Sequence, residues 1–534
     1  MNRKHLAAAC VLFVFSLGSL PAAFGEEKPV ALYKGLGSWT HRIATTNPEA
    51  QKYFDQGLSL NYGFNRYEAL RSFRKAAELD PNALMAYWGM AWAQGPYLNM
   101  DGDPTVDLKG ACAAVEAGRK VTGAPPREQA YLAAAALWCP EYRPKLYSDA
   151  MRALAAAYPD DPDAATLYAE SLLVPARWHW YDAKGVPAPG VAEADRALEG
   201  VLRRWPQHPG ANHYYIHSAE SSPSPERAIA SAQRLMGIVP AAGHMVHMPG
   251  HIWLVLGEWQ TAVDVNERAV AVDREYFAQT GVTDGPYTPY YVHNLNFILF
   301  ARSMQGRRAE TVRAAQEMGA AIAPMARMMP EMADSFASVL ALSYARVGAW
   351  EEILKSPEPD EKMTASRLTW RYARTLALLS RGDRGGAARE RDAFEKLRQG
   401  IPATAPWGMN TAAGVSATAA EVLAARLSTE PGEALAHWRS AVENQDRLSY
   451  DEPPDWYYPV RESLGAALLL SGKPAEAEIV FREGVNRTPH NGRMLFGLLQ
   501  SLKAQNKQND AEWVESEFQS AWAGSDITLR MEDL

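Results

Sequence analysis

Six of the twelve histidines of the chain lie between residues 209 and 308. They are His213, His217, His244, His247, His251 and His293. The first two are four residues apart, and the next three are separated by three and then four residues. In an α-helix, such spacings place side chains on one face. Two or three neighbouring helices could therefore direct these imidazole rings into one shared space.

Imidazole nitrogens clustered in this way are suited to a transition metal ion, and copper, zinc and iron are all compatible with them. Protonated rings would repel one another, whereas neutral rings become the ligands of a cation. Six rings exceed what one ion needs, so either two ions bind or some of the rings contact a substrate. Glu220 follows His217 by three residues and could be a ligand, an acceptor for an imidazole N–H group, or a general base.

The other histidines outside the amino terminus have a simpler interpretation, because a lone histidine on a helix is usually solvated or hydrogen-bonded. They are His41, His179, His208, His437 and His490. His179 lies between two tryptophans in a segment rich in glycine and proline, and it could close over the histidine region. Met245 and Met248 lie among the histidines, but helical spacing turns them sideways, which favours packing.

The helices that must position these rings have the spacing of a repeat. From residue 48, aromatic, small and proline residues recur at helical spacing. They are Tyr53, Gly57, Ala69, Phe73, Ala76 and Pro81, with a second series at Gly465, Ala477, Phe481, Gly484 and Pro489. In these stretches the chain resembles the tetratricopeptide repeat family, whose unit is a helix pair of about 34 residues.

The resemblance implies an all-α solenoid, a right-handed superhelix of antiparallel helix pairs around a concave groove. Units starting at Pro209 and Gly243 then put the first five histidines on positions that face the groove in that family. The next unit puts His293 and Asn296 on such positions. Since ligand peptides bind in the groove of related proteins, the resemblance also implies a peptide or protein partner.

The sequence divides into six segments. We expect a signal peptide (1–25), a lead-in segment (26–47), N-terminal helix pairs (48–208), histidine-rich units (209–324), divergent helical repeats (325–457) and C-terminal repeat units (458–534).

The first 25 residues combine a basic start, an apolar run from Leu6 to Leu20 and small residues before position 26. This pattern is typical of a secretory signal peptide, with a retained anchor as the alternative. We therefore expect a periplasmic or secreted protein of the bacterial type, with no later membrane span. In that oxidising compartment Cys112 and Cys139 could form a disulfide, or they could remain two free buried thiols.

Two functions are compatible with these features. The net charge of −8, with no basic stripe, argues against nucleic acid as a partner. In one interpretation the histidines hold an ion that activates water or oxygen, and the protein is a metal-dependent enzyme. In the other, the protein is a metal-independent scaffold of the cell envelope that binds a protein or peptide.

Overall fold

The computed structural model describes residues 28–100, 103–182 and 184–534. The predicted signal peptide lies outside these residues. The N-terminal half contains α1 (Pro48–Tyr62), α2 (Arg66–Leu79), α3 (Leu84–Trp92), α4 (Leu108–Gly118), α5 (Pro126–Ala135), α6 (Pro144–Ala157), α7 (Pro162–Leu173), α8 (Val191–Arg204), α9 (Pro209–Glu220), α10 (Ile229–Ile238), α11 (Gly243–His247) and α12 (Pro249–Val255).

The C-terminal half is also helical. It contains α13 (Trp259–Thr280), α14 (Thr288–Met304), α15 (Arg308–Met325), α16 (Pro330–Val347), α17 (Trp350–Lys355), α18 (Thr364–Ser380), α19 (Arg384–Gln399), α20 (Ala412–Leu427), α21 (Pro431–Asp446), α22 (Arg461–Leu470), α23 (Pro474–Arg487), α24 (Gly492–Ala504) and α25 (Gln508–Ala521). Single 3₁₀ turns occur at Ala136–Trp138, Val174–Ala176, Pro225–Ala228 and Met531–Asp533. A small antiparallel ribbon joins β1 (Pro406–Trp407) to β2 (Asn410–Thr411).

The repeat prediction is confirmed by how consecutive helices pack. Phe73 on α2 is buried between α1 and α3, and a Cβ atom added at Gly57 or Gly89 would overlap its ring. Near the other end, Phe481 on α23 has the same relation to glycines on α22 and α24. Small residues therefore let each helix pair stack closely on the next, which one pair could not achieve alone. The chain is an all-α, tetratricopeptide-like solenoid.

The apolar interior is divided into two cores that meet at α12. One core runs from Leu36 to Ile252, and the second from Leu254 to Leu534. The lead-in segment has no helix before Pro48 in its described part and packs against α1, where Gln56 donates to the Ala31 carbonyl. None of the described helices has the length and apolar character needed to cross a membrane.

Cys112 and Cys139 form a disulfide in this structure. Cys112 lies on α4, and Cys139 follows the 3₁₀ turn that extends α5. A short loop joins the end of α4 to the start of α5. The disulfide links the other two ends, from the first half of α4 to the segment after α5.

Candidate metal centre

Four helices bring the six histidines together at the junction of the two cores. Helix α9 carries His213 and His217, and α11 carries His244 and His247, while α12 and α14 each carry one more. Pro249 begins α12 and has no amide hydrogen, so it interrupts the hydrogen-bond ladder after α11. Met248 nevertheless keeps helical dihedral angles, with φ −50° and ψ −36°. The three histidines of α11 and α12 therefore stay on one face.

The rings form a buried cluster rather than an open groove surface. Five of them are at most 2% exposed, and only His293 is partly accessible. The ring centres of His213 and His217 are 4.9 Å apart, and those of His217 and His251 are 5.5 Å apart. Phe64 and Phe297 pack against the rings, at 4.5 Å from His213 and 4.6 Å from His247. The sequence predicted side chains that face a groove. In the structure the rings are buried instead, because apolar residues and the loop between α21 and α22 cover this region.

In four of the rings Nδ1 is already committed to an acceptor. His213 Nδ1 donates to the Tyr62 carbonyl at 2.6 Å, and His247 Nδ1 donates to Asn266 Oδ1 at 2.6 Å. The Asn266 amide nitrogen is engaged elsewhere, donating to a backbone carbonyl at 2.7 Å, which fixes its oxygen toward the ring.

The other two committed rings share one carboxylate. Glu220 accepts from His217 Nδ1 at 2.9 Å through one oxygen and from His251 Nδ1 at 2.5 Å through the other. Metal-binding histidines characteristically donate their second N–H group to a carboxylate or carbonyl, which fixes the tautomer. All four rings therefore present Nε2 to the centre of the cluster.

The Nε2 atoms face one another in pairs. His213 Nε2 lies 3.2 Å from His244 Nε2, and His247 Nε2 lies 2.7 Å from His251 Nε2. Two ligand nitrogens of one tetrahedral zinc ion are separated by about 3.3 Å, so the first distance matches joint coordination. Without a cation, each pair needs a shared proton to avoid opposing two lone pairs.

Two buried imidazole nitrogens of the cluster have no hydrogen-bond partner in the described part of the chain. They are His217 Nε2 and His244 Nδ1. A buried polar atom without a partner costs about 1–3 kcal/mol, so such atoms are rare and call for an explanation. A bound cation would satisfy the lone pair of His217 Nε2, and the nitrogen and oxygen donors of the cluster fit a transition metal ion.

Two carboxylates supply negative charge to the centre. Burial would raise the pKa of Glu220, but the facing rings of His251 and His217 outweigh it and lower that pKa. Glu452 Oε1 lies 3.2 Å from His251 Nδ1, and burial together with the Glu220 charge raises the pKa of Glu452. Burial lowers the pKa of the His251 ring, yet both carboxylates act against it and hold that pKa above its ordinary value.

The remaining rings are kept neutral. Burial, reinforced by neighbouring imidazoles, lowers the pKa of His213, His244 and His247 well below the ordinary value. Burial also lowers the pKa of His217, and it lowers that of His293 to about 3. Neutral imidazole is the form that binds metal ions, so these rings are prepared as ligands near pH 7.

A cavity of about 640 Å³ opens onto the cluster. His217 and His293 line it, together with Glu452 and Asn296. Its other walls include Tyr97, Tyr290 and Phe336. The size is that of small-molecule binding sites, in which a mainly apolar wall carries a few polar groups.

The two predicted groove residues lie in different places. Asn296 is buried at the cavity wall, where its side-chain oxygen accepts a hydrogen bond from Tyr457. His179 has an exposed side chain and lines a separate cavity, outside the histidine groups. Met245 and Met248 are fully buried in the first core.

Sequence spacing did not identify three residues of the centre. Glu452 comes from the loop between α21 and α22, and Asn266 and Tyr62 come from α13 and α1. The loop segment 450–459 has acidic residues among prolines and aromatics, which was the one available signal for Glu452. Asn266 and the Tyr62 carbonyl accept hydrogen bonds from the rings, and no spacing in the sequence indicates this role.

A second buried group contains His41, Asp161 and Asp163. The Asp163 carboxylate is satisfied by the protein, since it accepts from His41 Nδ1 at 2.9 Å, from Tyr62 at 2.7 Å and from His208 at 3.2 Å, whereas His41 Nε2 and Asp161 Oδ2 have no hydrogen-bond partner among the described residues. These bonds attach the lead-in segment to α1 and α7. We interpret this group as a structural network.

Comparisons with known proteins add the following. No family model matches the chain, and no curated protein matches it. The human IFIT1 dimer with m7Gppp-AAAA is 11% identical, covering 90% of this chain and 92% of that chain with a TM-score of 0.37. Yeast Tom70 is 10% identical, covering 89% and 93% with a TM-score of 0.28. The Naa15/Naa10 structure bound to HypK-THB is 12% identical, covering 90% of each chain with a TM-score of 0.22.

Similarities this low carry no conclusion about the site. The fold and the site geometry together define the class of protein: a tetratricopeptide-like helical-repeat protein with a buried histidine–carboxylate centre beside a cavity.

Proposed function

We propose that this is a metal-dependent enzyme, in which the histidine centre binds a transition metal ion and acts on a small molecule held in the adjoining cavity. The observation that carries the proposal is the orientation of the rings. Four imidazoles have Nδ1 committed to a carbonyl, amide or carboxylate oxygen, so that Nε2 converges on the cluster. Outer acceptors of this kind orient metal ligands in known metal sites.

The cavity favours a catalytic role over a structural one. A structural site is closed, with every coordination position taken by protein, whereas a catalytic site keeps a position for water or substrate. Here His217, His293 and Glu452 reach the wall of the cavity. A bound ion would supply activation of water or oxygen there. Glu452 lines that space and could exchange a proton with the bound molecule.

Copper, zinc and iron remain the candidate ions. Imidazole and carboxylate donors suit all three, and the sulfur atoms of Met245 and Met248 belong to the core rather than to the donor set. We further propose that the protein works in the periplasm or outside the cell. The Cys112–Cys139 disulfide supports this location, because disulfides persist in oxidising compartments.

The test is the metal content of the full chain, produced by export and purified without an affinity tag or chelator. Plasma mass spectrometry should find at least one equivalent of a transition metal. The double substitution His247→Ala and His251→Ala should lower this content by at least one equivalent while far-ultraviolet circular dichroism stays unchanged. His437→Ala is the matched control, since this ring lies on α21 and pairs with Glu421 at 2.7 Å, away from the centre.

An undiminished metal content in the double variant would refute the assignment. A metal-free protein that also takes up no copper, zinc or iron on titration would refute the proposal as a whole. The histidine region would then belong to a metal-independent scaffold. That function predicts a protein or peptide partner that co-purifies, with no effect of chelators.

A further inference from the structure

We infer that the centre holds two transition metal ions, one in each of two sets of three histidines. The inference rests on the proposed function and specifies its stoichiometry. Set A is His213, His217 and His244, and set B is His247, His251 and His293; within each set the ligand atoms lie within 4.8 Å of one another.

Set A combines α9 with the start of α11. The Nε2 atoms of His213 and His244 are 3.2 Å apart, and the unpartnered Nε2 of His217 completes the set. The Tyr62 carbonyl and Glu220 hold His213 and His217 by Nδ1, which leaves their Nε2 lone pairs free for an ion.

Set B combines α11, α12 and α14. The Nε2 atoms of His247 and His251 are 2.7 Å apart, and the ring of His293 is centred 4.9 Å from that of His247. Three imidazoles account for the protein ligands of one ion, as in catalytic sites that leave the next position open. Six rings in two compact sets therefore provide for two ions, whereas one ion would leave several of them without a role.

The two sets are adjacent and joined by one carboxylate. Glu220 accepts from His217 of set A and from His251 of set B, through separate oxygens. The rings of His244 and His247, one from each set, are centred 5.5 Å apart. Two neighbouring cations in a buried site require nearby negative charge, which Glu220 and Glu452 provide.

Each set also contributes one ring to the cavity wall. His217 belongs to set A and His293 to set B, and both line the same cavity. A molecule bound there would therefore lie against one ring of each set. This favours a substrate with an oxygen-donor group or a dioxygen molecule, since a pair of ions can hold two sides of such a group.

The experiment is titration of the chelator-treated full chain with Cu(II), followed by native mass spectrometry. We expect two equivalents in the unmodified protein. His244→Gln should remove the ion of set A and His293→Gln that of set B, so that each variant retains one equivalent. His437→Gln should retain two. Glutamine keeps most of the side-chain volume, which limits the cavity left in the core.

A second measurement needs no substitution. Two Cu(II) ions in adjacent sites couple magnetically, so the integrated electron paramagnetic resonance signal of the loaded protein should fall below its copper content. One equivalent with a full signal, lost in both variants, would overturn the two-ion inference and leave the proposed function in place. Two equivalents unaffected by either substitution would locate the ions elsewhere and overturn both. No uptake of copper, and none of zinc or iron in parallel titrations, would refute the proposed function itself.

Discussion

Glu220 accepts hydrogen bonds from rings of both histidine sets, which makes Glu220→Gln an informative substitution. The carboxylate is 2% exposed and accepts from His217 and His251 through separate oxygens. Glutamine has almost the same shape but only one acceptor oxygen, and its other terminal atom is a donor. It can therefore keep one of the two hydrogen bonds.

The magnitude follows from the ring that loses its acceptor. When the glutamine NH₂ group faces an imidazole Nδ1, that nitrogen must become the acceptor, and the proton moves to Nε2. A protonated Nε2 cannot bind a metal ion. The ring must therefore return to its other tautomer, at a cost in free energy, or leave the ligand set. Loss of such an outer acceptor weakens metal binding about 10–100-fold, or about 1.4–2.7 kcal/mol.

Competition with a chromophoric chelator at fixed pH measures this change. Glu421→Gln is the control, because Glu421 also accepts from an imidazole, that of His437, at a half-exposed position. Affinity in the control should match the unmodified protein. An unchanged affinity in Glu220→Gln would refute the orienting role, and complete loss of binding would show that Glu220 is itself a ligand.

Three further predictions concern stability. Burial alone would raise the pKa of Asp163, but its two imidazole partners outweigh this and lower it. Asp163→Asn should cost about 3–5 kcal/mol in urea unfolding at pH 7. That contribution is present above about pH 4 and disappears as pH falls toward the folded-state pKa, so the variant should lose less stability on acidification. An added Cβ at Gly243 would overlap the buried side chain of Asp273, so Gly243→Ala should lower the free energy of unfolding by about 1–3 kcal/mol. Gly237→Ala is the control, because open space surrounds Gly237 and the protein should not be destabilised. The paired substitution Cys112→Ser and Cys139→Ser removes a disulfide between residues 27 apart in sequence. It should lower the free energy of unfolding by about 3–4 kcal/mol, and an unchanged urea midpoint would contradict this.

The repeat architecture was predictable because it is encoded locally. Phe73 and the glycines it packs against are close in sequence, and their spacing sets the distance between consecutive helices. The same applies to Phe481 near the other end. The histidine sets on α9, α11 and α12 were predictable for the same reason, since helical spacing puts side chains four residues apart on one face.

The features of the site that the sequence did not predict depend on contacts between distant segments. Glu452 lies about 200 residues after His251, yet its carboxylate is 3.2 Å from that ring. Spacing along a helix carries no information about such a loop. The burial of the rings was not predicted for the same reason. The repeat pattern of the family predicts a groove but does not predict which distant residues cover it. His179 was singled out for its aromatic neighbours, but the side chain points to a different cavity.

The position of the centre has an energetic consequence. Buried imidazoles held neutral, together with unpartnered nitrogens on His217 and His244, add no stability to a metal-free fold. A protein that only needed to close the junction of its two cores would do so better with apolar side chains. Polar groups that conflict with local packing are characteristic of functional sites. Since His217 Nε2 and the facing Nε2 atoms of the other rings converge, a cation is the ligand that removes the conflict, and folding and metal binding should stabilise each other.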